Sequence, residues 1–75
     1  MDRIVIDGEI LAGKPIIKGT RISVEFVLEM LSSGMSVEEI LEEYPHLKRA
    51  DILAAVAYAV KVLKNEEVYL NSQER

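Results

Sequence analysis

Gly8-x-x-x-x-Gly13-Lys14 follows a β-branched run and matches most of a loop that cradles phosphate on backbone N–H groups. Pro15 stands where Ser or Thr should reach a metal ion, and its ring removes one of the amide donors such a loop needs. The chain is also too short for a nucleotide-binding α/β sheet, so two turn glycines are the simpler reading. His46 is the only histidine and follows Pro45, with no second ligand type beside it for a metal. No serine is placed to serve as its nucleophile, because Ser23 and Ser36 suit helix caps and Ser32 and Ser33 a helix end. With no cysteine, thiolate metal sites, disulfides and a Cys nucleophile drop out. Neither an enzyme nor a bound cofactor or metal is expected of these residues.

Charge is the more telling chemistry. Thirteen acidic and nine basic residues give a net −4, but the signs are segregated. Residues 1–24 hold four basic and three acidic side chains, for +1; residues 25–47 hold none and six, for −6. Residues 48–64 hold four and one, for +3, and residues 65–75 hold one and three, for −2. Positive charge therefore collects at Lys14, Lys18 and Arg21, and again at Lys48, Arg49, Lys61 and Lys64. An acidic chain can still bind nucleic acid when its basic groups share a face. The acidic run Glu38, Glu39, Glu42 and Glu43 makes like-charge pairs at i, i+4, each costing about 0.2–0.5 kcal/mol in an isolated helix. That run is either a solvated face or a docking surface for a basic partner.

The elements that must carry these charges follow from periodicity. Arg3 to Asp7 is a β-branched strand candidate, and Ile16-Ile17 begins a second extended stretch after Pro15. Gly8 and Gly13 bracket the loop between them, and Gly19 permits a tight turn or bulge. Val24, Val27, Leu28 and Leu31 form a helical stripe that Ser23 can cap and Gly34 can stop. Ser36-Val37-Glu38-Glu39 is a capping box opening a second helix, with Val37, Ile40, Leu41 and Tyr44 inward and Pro45 at its end. A third helix is expected from Arg49 to Lys64, with Ile52, Leu53, Val56, Val60 and Leu63 inward. Its other faces are alanine and tyrosine rather than charge, which marks a helix buried on more than one side. In 75 residues the second side is best supplied by another subunit, so Ala54, Ala57 and Tyr58 are expected at a homodimer interface; the alternative is a central core helix wrapped by the hairpin and the other two helices. Residues 65–75 read as a polar C-terminal tail or a short docked segment with an isolated Val68-Tyr69-Leu70 cluster, beyond a single domain over residues 1–64. The longest apolar run is nine residues, from Ile52 to Val60, and the amino terminus lacks an apolar signal segment. A cytoplasmic protein away from the membrane is expected.

The second helix, the Pro45-His46-Leu47 turn and the third helix make a helix-turn-helix candidate, with Lys48 and Arg49 at the end that enters the major groove. The chain also carries Gly13-Lys14-Pro15-Ile16-Ile17-Lys18-Gly19-Thr20-Arg21-Ile22, then Val27-Leu28, Ser36-Val37-Glu38-Glu39-Ile40-Leu41, Tyr44-Pro45 and Asp51-Ile52. In these it resembles the domain-of-unknown-function 433 family, also described as VapB-like antitoxins, over about residues 3 to 63. The resemblance implies a mainly α protein with a small N-terminal β element, a three-helix winged or homeodomain-like helix-turn-helix. It implies an antitoxin that neutralises a PIN-like ribonuclease toxin encoded beside it and represses its own promoter by binding operator DNA. One position departs from the family: Lys48 stands where Thr or Ser is common. Lysine cannot accept the helix-capping amide bond, a loss of about 1 kcal/mol. It also sets positive charge at the positive end of the helix dipole. Asp51 in the first turn offsets part of this, and Lys48 is either a weak helix start or an added phosphate contact.

On this reading Lys14, Lys18, Arg21, Lys48 and Arg49 meet DNA. Glu38, Glu39, Glu42, Glu43 and Val68-Tyr69-Leu70 form the partner surface, and Arg75 pairs with the ribonuclease's metal-binding carboxylates. The alternative is a protein-interaction or dimerisation module that does not bind DNA.

Overall fold

Ile4–Ile6 (β1) and Pro15–Ile17 (β2) pair antiparallel in the computed structural model, which describes the backbone of residues 3–73 and the side chains of residues 3–65. The register sets Ile4 against Ile17, Val5 against Ile16 and Ile6 against Pro15. Pro15 sits at the end of the ladder, where its missing N–H costs least. The connection between the strands contains a left-handed turn, with φ of 50° at Leu11, 56° at Ala12 and 81° at Gly13. After β2 the chain reverses through Lys18–Arg21. Gly19 takes a φ of 81° there, and the Ile17 N–H donates to Ile22 O at 2.9 Å. The Thr20 hydroxyl fixes this reversal, donating to Ile17 O at 2.7 Å and accepting from the Ile22 N–H at 2.9 Å.

Three helices follow: α1 (Val24–Ser32), α2 (Val37–Glu43) and α3 (Arg49–Gln73). The Ser23 side chain accepts from the Phe26 N–H and caps α1. Its far end closes on Gly34 at φ 102°, with Gly34 N–H donating to Leu31 O and Met35 N–H to Met30 O, a Schellman pair. Ser36 and Glu39 form both halves of the capping box that starts α2. Ile4, Ile17, Val24, Val27, Met30, Ile40, Leu47, Ile52 and Ala55 pack as one core beneath the hairpin. Leu47, buried, pins the turn between α2 and α3 into that core. The expected mainly α fold with a small N-terminal β element is therefore what forms, in a helix-turn-helix-like arrangement. No described helix is long and apolar enough to cross a membrane.

The third helix departs from expectation in two ways. Its inward face is Asp51, Ile52 and Ala55, with Ala54 and Tyr58 packed at the margin of the core. Leu53, Val60 and Leu63, expected inward, are 56%, 45% and 58% exposed. A helix apolar on nearly every side has no phase for periodicity to detect, and the small Ala55 decides where the core can close. The helix also continues past Lys64 to Gln73, where a tail was expected. No Gly or Pro interrupts residues 49–73, so nothing in the chain stops it.

Candidate nucleic-acid interface

A chain of hydrogen bonds ties the hairpin to the start of α3. Lys18 N–H donates to Arg3 O at 2.8 Å across the hairpin. The Arg3 guanidinium Nη1 then donates to Asp51 Oδ1 at 2.9 Å, and Asp51 Oδ2 accepts the Lys48 N–H at 2.9 Å. Asp51 is nearly buried, its side chain 12% exposed, so this carboxylate ties the N-terminal strand to the first turn of α3. It also settles the helix start. Lys48 offers no capping oxygen, and the carboxylate three residues on reaches back to its amide instead, as one half of a capping box. The Lys48 side chain is exposed and takes no part in this.

Lys18 and Arg21 border an open groove of about 600 Å³, shared with Val5, Asp7, Ile16 and Thr20. Lys18, Arg3 and Lys48 are thus brought to one end of the molecule, with Arg49 beside Lys48 on the exposed side of α3. Arg49 is not idle there, because its Nη1 donates to Glu38 Oε2 at 2.9 Å on α2. The Glu38 carboxyl is held below its ordinary value, first by its own backbone amide in the first turn of α2 and then by Arg49. Lys14 lies on a different side. Its Nζ donates to Glu25 Oε1 of α1 at 2.9 Å, and that bond, with the charges of Glu25 and Glu29, raises the ammonium's pKa. Of the five expected DNA contacts, Lys18, Arg21, Lys48 and Arg49 belong to the hairpin and the α3 start, and Lys14 stands apart.

Arg3 was not expected to contribute. Two signals point to it: the strand register sets it next to Lys18, and Asp51 is the lone acid in a basic segment and needs a partner. The phosphate-loop resemblance at Gly8 to Lys14 has no structural support, since β2 rather than a helix follows Lys14. His46 is exposed in the turn after Pro45. Among the described residues no three His, Cys, Asp or Glu side chains gather as a metal site.

Glu38, Glu39, Glu42 and Glu43 are all exposed along α2. Glu38 is engaged by Arg49, and Glu39 closes the capping box on the Ser36 amide. Glu42 and Glu43 form no ion pair among the described residues. Ala54 and Tyr58 pack against the chain's own core, and Ala57 is the exposed member of the three alanine-face positions. Val68, Tyr69 and Leu70 fall within α3, but their side chains, like Arg75, lie outside the described residues.

Compared with known proteins, residues 4–59 match the family described as a protein of unknown function (DUF433). A relative from Sinorhizobium fredii, described as uncharacterized protein y4eO, is 41% identical over 51 residues. Those residues are 68% of this chain and 23% of that relative, so the chain spans about a quarter of the relative's length. No solved structure matches.

Proposed function

The chain belongs to the DUF433 family, and from that premise we propose that it is the antitoxin of a toxin–antitoxin pair, binding operator DNA with its cationic end and neutralising a PIN-like ribonuclease. The observation that carries this reading is the Arg3–Asp51–Lys48 linkage. It joins the hairpin cations Lys18 and Arg21 to the first turn of α3, the end at which a helix-turn-helix meets the major groove. These groups suit phosphates better than base edges, because Ala50 and Ala57, exposed on α3 beyond Arg49, carry no hydrogen-bonding group. The Arg49–Glu38 pair does not oppose the reading. Both side chains are largely exposed, and water screens such a pair strongly, so a phosphate can replace the carboxylate. One turn further along the same exposed face of α2, Glu42 and Glu43 form no ion pair among the described residues and are available to a basic surface.

The test is a Lys18→Glu/Lys48→Glu variant against duplex DNA taken from upstream of its own gene. Affinity should fall at least tenfold while the circular dichroism spectrum is unchanged; undiminished binding removes these residues from the interface. For the ribonuclease half, Glu42→Lys/Glu43→Lys should abolish co-purification with the product of the adjacent gene.

A protein-interaction module without DNA binding is the second reading. It is favoured by the internal neutralisation of Lys14 by Glu25 and Arg49 by Glu38 in a chain of net −4.

A further inference from the structure

Leu53, Val56, Val60 and Leu63 recur along α3 at steps of three, four and three residues, the a and d positions of a heptad. Three of them are exposed by 45–58%. A helix face that ends in solvent carries charge, and this one carries aliphatic side chains. The rest of the chain leaves Leu53, Val60 and Leu63 exposed, because the core closes on α3 through Asp51, Ile52 and Ala55, about a third of a turn round the helix. The helix is 25 residues, about 37 Å at 1.5 Å per residue, and the chain's radius of gyration is 13.9 Å. A compact domain of this length has a radius near ~11 Å. Its accessible surface is 5450 Å² against roughly 4,600 Å² for a folded monomer of 8.4 kDa. That excess belongs to a helix that stands out from the domain, and Leu53, Val60 and Leu63 put aliphatic surface on it.

We propose that this face is an interface with a second copy of the chain, α3 lying antiparallel on its counterpart about a two-fold axis near Tyr58. In that alignment Leu53 packs on Leu63 of the second copy and Val56 on Val60 of the second copy. Every a position then meets a d position, and each contact is repeated by symmetry. The orientation follows from charge. Antiparallel helices oppose their dipoles, and the cationic starts at Lys48 and Arg49 point away from each other. A parallel pair sets Lys48, Arg49, Lys61 and Lys64 of both copies side by side. The seam differs from the alanine face expected from composition, since Ala54 and Tyr58 are turned to the chain's own core. It also stands independently of the DNA reading.

The first measurement is the solution mass of the full chain by light scattering, expected at twice 8.4 kDa. Val60→Glu/Leu63→Glu alters side chains exposed in the single chain and is expected to halve that mass with helicity retained. A variant that unfolds leaves a second route, because the chain has no cysteine of its own. Leu53→Cys/Leu63→Cys in a glutathione redox buffer should form a covalent dimer as the major species. Within one chain these positions are about 15 Å apart along the helix, beyond the ~7 Å Cα separation a disulfide spans. Leu53→Cys alone should stay mostly uncross-linked. A wild-type monomer at every concentration, a dimer indifferent to the two glutamates, or cross-linking by Leu53→Cys alone equal to the double variant each overturns the proposal. In the first of these cases the aliphatic face belongs to a different protein.

Discussion

Asp51 accepts from two groups that the chain keeps far apart, a guanidinium 48 residues upstream and the amide of Lys48. Asp51→Ala removes both bonds and leaves α3 without a cap, at a cost of about 2 kcal/mol in urea denaturation. Asp51→Asn can still accept the amide bond and should lose roughly half as much. Equal stability of the three proteins contradicts the linkage. Ala12 shows a different kind of residue effect, since its left-handed backbone costs an L-residue roughly 1–2 kcal/mol. Ala12→Gly relieves that strain against about 0.5–1 kcal/mol of added unfolded-state freedom, so the variant should be more stable by about 0.5 kcal/mol. A destabilised variant contradicts the turn geometry. Glu38 supplies a pH prediction. Its folded pKa lies below the ordinary 4.5, so its contribution to stability is present above that value. The contribution is lost as pH falls through the folded pKa. Arg49→Gln removes one of the two causes. A carbon-detected NMR titration should then show the Glu38 pKa rising toward 4.5 without reaching it, because the amide bond remains.

At the scale of elements, legibility in the sequence tracks how local the determining interaction is. The caps of α1 and α2 were legible because each is settled within four residues: Ser23 with Phe26, Ser36 with Glu39, and Gly34 with Leu31. The inward phase of α3 was not, because an apolar surround leaves the choice to packing against α1 and the hairpin. Its end was also missed: polar composition suggested a tail, but no residue there breaks a helix. The site divides the same way. Lys18, Arg21, Lys48 and Arg49 are visible as charge clusters, while Arg3 enters through a contact that strand pairing alone creates. The salt bridge from Lys14 to Glu25, which takes Lys14 away from the cationic end, likewise depends on how β2 lies on α1. Element stability can be tested at α2, whose one fully buried side chain is Ile40. Ile40→Ala should cost about 3 kcal/mol. Amide exchange over residues 37–43 should lose its protection before that of α1, and uniform loss across all three helices contradicts this attachment.

For the whole molecule, the distribution of charge matters more than its sum. A chain of net −4 repels DNA at long range, and only a concentrated cationic end can overcome that. With Lys14 and Arg49 paired to Glu25 and Glu38, the proposed phosphate contacts rest on Lys18, Arg21 and Lys48, with Arg49 joining by exchange of Glu38. The proposed two-fold assembly through α3 would double those contacts and set them at opposite ends of the paired helices. It also enlarges a small core in a chain without disulfides. The central claim is that this end binds DNA, and its most direct test is affinity for the upstream duplex measured across a salt series. Four phosphate contacts per chain predict log affinity falling linearly with log salt at a slope of roughly −3 to −4 per chain, reduced in Lys18→Glu/Lys48→Glu. No binding at ~50 mM salt, or a slope that the double variant leaves unchanged, contradicts it.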